Sequence, residues 1–332
     1  MSLPKPCLEF TARFGLKFPI VQAPTGSIAG PELAAAVCEA GAMGAMALTW
    51  AEPLAAAAQV RQVTGRTGVP FLVNFALAVP PRSLAAALEA GAPVVTFSWG
   101  EPSDHVSLVR SFGARLGIQV TTAEGARRAI QHGPDFLICQ GVEAGGHVQA
   151  TRELRTVLME VLAAADGVPV VAAGGIGDGT AVAEVLRLGA SAAMLGTRFV
   201  ATQESRAHPE YKRLLVEATE HDTALTVCFE GGWPYAPHRV LRNATLETWE
   251  AVGCPPIGQR PGEGDVLGAN ASGESILRYE DTAPRTGFQG DIAAMCCYAG
   301  ASCAAIYDLP SARDLVPRLW EESLAALARS PP

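Results

Sequence analysis

Through its first 200 residues the chain alternates short apolar runs of β character with alanine-rich stretches of helical character. The apolar runs begin at Pro19, Gly44, Pro70, Pro93, Arg115, Phe136, Pro169 and Ala192. They stand roughly 21 to 26 residues apart, with one longer gap between the sixth and the seventh. Most are unbroken rather than alternating, the pattern of strands buried on both faces of a parallel sheet. Between them lie Pro31–Ala40, Ser83–Ala90, Ala123–His132 and Thr180–Leu188, each followed by a glycine (Gly41, Gly91, Gly133, Gly189) placed to end a helix in the left-handed conformation. Eight strand–helix–glycine units in about 200 residues predict an α/β fold, a (β/α)8 TIM barrel. An open doubly wound sheet is the alternative and usually has fewer, longer units.

Beyond Phe199 the rhythm changes. Residues 203–225 read as helical, and 226–290 lose the repeat and gather Gly, Pro and aromatic residues, most densely in Gly231-Gly-Trp-Pro-Tyr-Ala-Pro-His238. Helical character resumes over 288–308, and Ser311–Ala328 is an amphipathic final helix expected to break or kink at Pro317. The expected organisation is a barrel over 1–200, a lid or substrate domain over 201–290, and C-terminal helices over 291–332 that pack back on the barrel.

Composition narrows the class. With 49% hydrophobic residues, 17% charged and 34 glycines, the chain suits a buried sheet rather than disorder. A net charge of −8 without any Lys/Arg cluster argues against nucleic acid as a partner. No apolar signal core and no unbroken apolar stretch of membrane-spanning length is present, so the expectation is a cytoplasmic protein without membrane association. The eight cysteines form no C-x-x-C pair and read as reduced, mostly buried thiols.

In a barrel, functional groups collect at the carboxyl ends of the strands. Those ends read Gln22-Ala-Pro-Thr25, Thr49-Trp50, Asn74, Ser98-Trp99, Gln119, Gln140, Gly174-Gly175 and Gly196-Thr197. They are rich in amides and poor in acids, with no ligand set for a metal and no carboxylate pair for glycoside chemistry. Amides suit the hydrogen-bonding edge of a flat heterocycle, and glycine loops after strands 7 and 8 suit a phosphate. A heterocycle with one phosphate is a mononucleotide, and FMN is the mononucleotide that does chemistry. The sixth strand runs into Gln140-Gly-Val-Glu-Ala-Gly-Gly-His147, which presents His147 as the one proton carrier at the strand ends. Trp50, Trp99, Trp233, Tyr235, His238 and Tyr298 are candidates to line the substrate.

The series Gln22-Ala-Pro24, Asn74, Gln140 to His147, Ala172-Ala-Gly-Gly-Ile176 and Leu195-Gly-Thr-Arg-Phe199 resembles the nitronate monooxygenase (2-nitropropane dioxygenase) family. These are FMN-dependent barrels related to flavin enoyl-acyl-carrier-protein reductases and to some NAD(P)H:quinone reductases. The resemblance covers 15–200 well and 285–325 more loosely. It implies that the backbone of Ala23, Pro24 and Thr25 lies against the flavin. It gives Asn74, Gln119 and Gln140 to the ring edge or ribityl chain, and Gly145, Gly174, Gly175 and Met194-Leu195-Gly196-Thr197 to the phosphate. It makes His147 either the base that deprotonates the substrate or a hydrogen-bonding partner of an anionic nitronate. The implied reaction is oxidation of nitronates or nitroalkanes by O2 to carbonyl compounds and nitrite. The alternative is NAD(P)H-dependent reduction of enoyl thioesters or quinones, and an oligomer is compatible with either. Five positions depart from the family pattern: Thr25 for Met, Ser98 for a second His, Val148-Gln149 for Arg-Gly, and Ala301 for Gln.

Overall fold

The computed structural model describes residues 4–329. Its centre is a parallel sheet of β1 (Ile20–Gln22), β2 (Ala45–Ala47), β3 (Leu72–Ala76), β4 (Val94–Ser98), β5 (Arg115–Val120) and β6 (Phe136–Gln140). A two-residue strand, β7 (Gly146–His147), lies outside it, and β8 (Val170–Ala173) and β9 (Ala192–Leu195) complete the eight. The order β1-β9-β8-β6-β5-β4-β3-β2 brings the first two strands to opposite edges. A single bridge between Val21 and Met43 joins those edges. Gln22 reinforces the seam: its backbone N–H donates to the Met43 carbonyl at 2.9 Å, and its Oε1 accepts from the Ala45 N–H at 2.8 Å. The fully buried Gln22 is thus part of the barrel's closure.

Helices α1 (Lys5–Phe14), α2 (Pro31–Glu39), α3 (Pro53–Thr64), α4 (Leu84–Glu89), α5 (Ser103–Ser111), α6 (Ala123–Ile130), α7 (Leu154–Ala164) and α8 (Gly179–Arg187) precede, join and surround the strands. The four helix-ending glycines are left-handed as expected, with φ from 62° at Gly133 to 109° at Gly189. After α2 the N–H groups of Gly41 and Ala42 bond the carbonyls of Cys38 and Val37, the crossed pair of a Schellman ending. α1 closes the amino-terminal end of the barrel by setting Phe10 and Phe14 edge-on against Phe136, 5.9 and 5.5 Å between centroids. The opposite end is left for the loops.

Past the short helix α9 (Thr197–Val200), the expected helix over 203–225 is confined to α10 (Pro209–Glu217). The remainder turns into β10 (Thr223–Thr226), which pairs with β11 (His238–Leu241). β11 in turn pairs with β7, so residues 91 positions apart share one small antiparallel sheet. After α11 (Ala244–Ala251), a second three-stranded sheet holds β12 (Val266–Ala269), β13 (Ser275–Leu277) and β14 (Gln289–Gly290). After β14, the stretch to residue 308 forms two short 3-10 turns, at Ile292–Ala294 and Ala301–Ala305, rather than the helix expected over 288–308.

The final helix, α12 (Ala312–Ala328), runs through Pro317 without a break. Pro317 lacks the N–H that would reach Arg313, but the helix buries Leu315, Val316, Leu319 and Trp320 against its neighbours, and that packing outweighs one absent bond. The buried Arg198 ties the C-terminal segment to the barrel by bonding the Asp308 carboxylate at 3.1 Å and its carbonyl at 2.8 Å. Seven of the eight cysteines are buried and Cys254 is exposed, all as free thiols. Among the described residues no helix is long and apolar enough to cross a membrane.

Candidate functional site

Four glycine-bearing loops meet at the carboxyl end of the barrel. The loop after β8 carries Gly174 and Gly175 at φ 118° and 70°, which L residues rarely adopt. A Cβ on Gly174 would stand 3.1 Å from the Gly141 carbonyl oxygen, and one on Gly175 would stand 3.0 Å from Cβ of Glu143. In the loop after β6, a Cβ on Gly145 would fall 2.5 Å from the Gly300 nitrogen. Gly300 in turn donates its N–H to Thr197 Oγ1 at 2.9 Å. Gly145 and Gly174 are therefore required by the packing of loop on loop. Among the described residues, the N–H groups of Gly175, Gly196 and Thr197 bond no acceptor. Gly196 and Thr197 open α9, so their N–H groups belong to a helix start. Ala23 and Thr25 border the same place, within 3.5 and 3.6 Å of a Cβ built on Gly196. The Thr25 hydroxyl is buried there without a hydrogen-bond partner. A glycine-lined cradle with free N–H donors and an orphaned hydroxyl fits an anion carried on a larger flat ligand.

His147 stands beside this cradle. β7 holds it opposite His238 of β11, and the Val148 N–H to the Pro237 carbonyl at 2.8 Å fixes the register. Its imidazole stacks on the Trp233 indole at 4.5 Å and 29°, with Trp99, His238 and Tyr298 at 6.2, 5.5 and 5.6 Å. Nε2 is buried and has no hydrogen-bond partner. Burial, with a smaller contribution from His238, pushes the His147 pKa down to about 3. The ring is therefore neutral at physiological pH, with its buried Nε2 unspent.

An amide chain braces this loop. Gln140 spends both ends of its side chain on it: Oε1 accepts from the Gln149 N–H at 2.9 Å, and Nε2 donates to the His147 carbonyl at 3.3 Å. Gln149 Oε1 accepts from Gln119 Nε2 at 2.8 Å and from the Trp99 N–H at 3.3 Å. Asn74 Nδ2 donates to the Thr96 hydroxyl at 3.1 Å. A cavity of about 180 Å³ opens beside the chain, walled in part by Gln119, Gln149, Arg128 and His132. Gln149, a departure from the family pattern, thus links the histidine loop to the ends of β4 and β5.

The structure brings His147, Trp99, Trp233, Tyr298 and the glycine loops together, and sorts the other candidates differently. Trp50 reaches the group through Trp233, 6.4 Å away. Met194 and Leu195 bury their side chains in β9, just before Gly196 and Thr197. His238 spends both ring nitrogens on backbone: its Nε2 accepts from the Phe229 N–H at 3.2 Å and its Nδ1 meets the Ala236 carbonyl at 2.9 Å. Tyr235 is 80% exposed, and no ring contact joins it to the cluster among the described residues. Tyr298 turns its hydroxyl away, to the Asp281 carbonyl at 2.8 Å. Sequence reasoning left Glu143 and Arg239 unassigned. The Glu143 carboxylate accepts the Leu154 N–H at the start of α7, and Arg239 donates to the Val142 carbonyl at 2.9 Å. Both hold the loop before His147. The acid inside the Glu143–His147 run was the available signal for the first; nothing local marks the second.

The two depressed histidines give a pH signature. Below about pH 6.5 the unfolded chain binds protons at His147 and His238 that the folded chain refuses, so stability falls as pH falls. For His147 this continues down toward about pH 3. Each histidine contributes a slope of up to about 1.4 kcal/mol per pH unit. Thermal melts between pH 7 and 5 should show a falling midpoint, and His147→Phe should flatten that fall. An unchanged slope in the variant would place the titration elsewhere.

A family model described as nitronate monooxygenase matches residues 9–83 and 73–322. A nitronate monooxygenase of Pseudomonas aeruginosa is 33% identical over 301 residues, covering 76% of this chain and 85% of that protein. Among solved structures, FabK of Thermotoga maritima superposes with a TM-score of 0.82 at 28% identity, covering 96% of each chain. A nitroalkane oxidase of Streptomyces ansochromogenes gives 0.76 at 31% identity, covering 96% of this chain and 98% of that one.

Proposed function

The chain belongs to the nitronate monooxygenase family and is an oxidoreductase, and from that premise we propose that it oxidises alkyl nitronates with O2, using FMN, to carbonyl compounds and nitrite. The observation that carries this reading is His147 Nε2, buried, neutral and unbonded beside a glycine cradle. FMN suits the cradle because one phosphate can take the N–H groups of Gly175, Gly196 and Thr197, with the Thr25 hydroxyl and the backbone of Ala23 and Pro24 alongside. When bound, the flavin supplies the electron chemistry with substrate and O2.

The chain's own residues do the rest. A neutral imidazole can donate a hydrogen bond to the oxygens of an anionic nitronate, and the approaching anion raises its pKa toward the ordinary range. As a base toward a neutral nitroalkane it is weak until that anion forms, because a conjugate acid near pKa 3 holds protons poorly. This favours the nitronate over the nitroalkane as substrate. The rings of Trp99 and Trp233 exclude water from the imidazole, and Gln140 and Gln149 keep its loop in place. We assign the segment 201–290 to a substrate domain over the barrel mouth, since it brings Trp233 onto His147.

The test is a visible spectrum of the purified protein followed by anaerobic titrations. Propyl nitronate should bleach the bound flavin and NADPH should leave it oxidised. In air, nitrite should appear as O2 is consumed. Bleaching by NADPH but not by the nitronate would replace this reading with a reductase acting on enoyl thioesters or quinones.

A further inference from the structure

We propose that Trp50, Trp99 and Trp233 form a wall that receives an aromatic ring, so that the preferred substrates are nitronates bearing a flat apolar group near the nitronate carbon. This rests on the nitronate reading above and names its substrate class. Three of the chain's five tryptophans meet here, drawn from the ends of two barrel strands and from a distant loop. Trp233 is the hub. Its indole lies 4.7 Å from Trp99 at 60°, 6.4 Å from Trp50 at 74°, and 4.5 Å from His147. Edge-to-face rings of this kind present further faces and edges to an incoming ring.

Two features say that the wall is built for a ligand rather than for the core. Trp50 is 64% exposed, although it sits beside the Trp233 indole, which could bury it. Trp99 holds φ at 59°, a left-handed conformation costly for a bulky residue, and Gln149 pins its N–H at 3.3 Å. Strain kept at such a residue marks a place where the ring's position matters more than local comfort. Among the described residues no lysine or arginine stacks on any of the three rings, so none of their faces is taken up by a cation.

Calorimetry on the flavin-loaded protein tests binding apart from turnover. Nitrobenzene and 2-methyl-2-nitropropane both lack a hydrogen on the nitro-bearing carbon, so neither can form a nitronate. Nitrobenzene should bind at least tenfold more tightly, and that advantage should shrink to less than threefold in Trp233→Ala and in Trp99→Gly. The second variant removes the ring while giving the left-handed position its preferred residue, so its melting temperature should not fall. Equal binding of the two probes, or an advantage untouched in both variants, would overturn the wall. Kinetics separate this from the underlying reaction: kcat/KM for the nitronate of phenylnitromethane should exceed that for propyl nitronate about tenfold. If neither nitronate is oxidised while the binding preference holds, the reaction is wrong and the wall stands. If both are oxidised equally well, the wall is wrong and the reaction stands.

Discussion

Replacing His147 with phenylalanine is expected to lower kcat/KM for propyl nitronate about 100-fold while leaving the protein folded and no less stable. Phenylalanine keeps a flat ring against Trp233, where the imidazole now stacks at 4.5 Å, and removes only the polar edge. That edge is costly to the fold, because Nε2 is buried with no partner, and an unsatisfied buried polar atom costs about 1–3 kcal/mol. The catalytic loss follows from one hydrogen bond to a group whose charge changes in the reaction, worth about 2.7 kcal/mol for a 100-fold effect. His147→Asn refines the test, since asparagine can donate a hydrogen bond but cannot carry a proton. It should lose less than tenfold on the nitronate and about 100-fold on the neutral nitroalkane. Equal losses on both substrates in the asparagine variant would leave His147 a binding group only. A melting temperature well below wild type in the phenylalanine variant would make it structural.

The barrel was legible because its signals are local. Each apolar run is long enough to read as a buried strand, and Gly41, Gly91, Gly133 and Gly189 each require the left-handed ending that they adopt. The backbone of the glycine loops was legible for the same reason: Gly174 and Gly175 stand side by side and both take positive φ. His147 was visible as a residue, but its surroundings were not. Its neighbour across the sheet, His238, is 91 positions away, and a two-residue strand carries no periodicity. Trp233 arrives from a loop whose Gly and Pro content announced irregular structure and nothing about where it would land.

The misread segments fail where tertiary packing overrides local preference. Residues 218–225 left the helical pattern because Thr223–Thr226 had a partner strand in His238–Leu241. Pro317 sits inside a continuous helix because one face of that helix is buried along its length. The amides show a subtler limit. Gln140 and Gln119 look alike at strand ends, yet one has both ends of its side chain bound within the loop and the other donates only from Nε2. Only the placement of Gln149, between them in space, distinguishes the two.

The second large effect is expected at Gly175: an aspartate there should yield protein with less than a tenth of the wild-type flavin and no uptake of added FMN. Three terms act together. A residue with a side chain at φ 70° costs about 1–2 kcal/mol of backbone strain, and its Cβ would come within 3.0 Å of Glu143 Cβ. Both penalties apply equally to Gly175→Asn, which has the same shape without charge, and the loop can absorb them by shifting a few tenths of an ångström. The third term belongs to aspartate alone. Its carboxylate would enter a cradle whose donors, the N–H groups of Gly175, Gly196 and Thr197, suit one anion. A second negative charge about 4 Å from the phosphate, at an effective dielectric of about 20, repels by about 4 kcal/mol, nearly 1000-fold in affinity. The asparagine variant should therefore keep most of its flavin and the aspartate variant almost none, read as the flavin-to-protein ratio after denaturation, with circular dichroism confirming that both are folded. If both variants hold flavin equally, the phosphate does not lie against Gly175. If both lose it equally, the position matters for its shape, and charge at the cradle has no part in holding the cofactor.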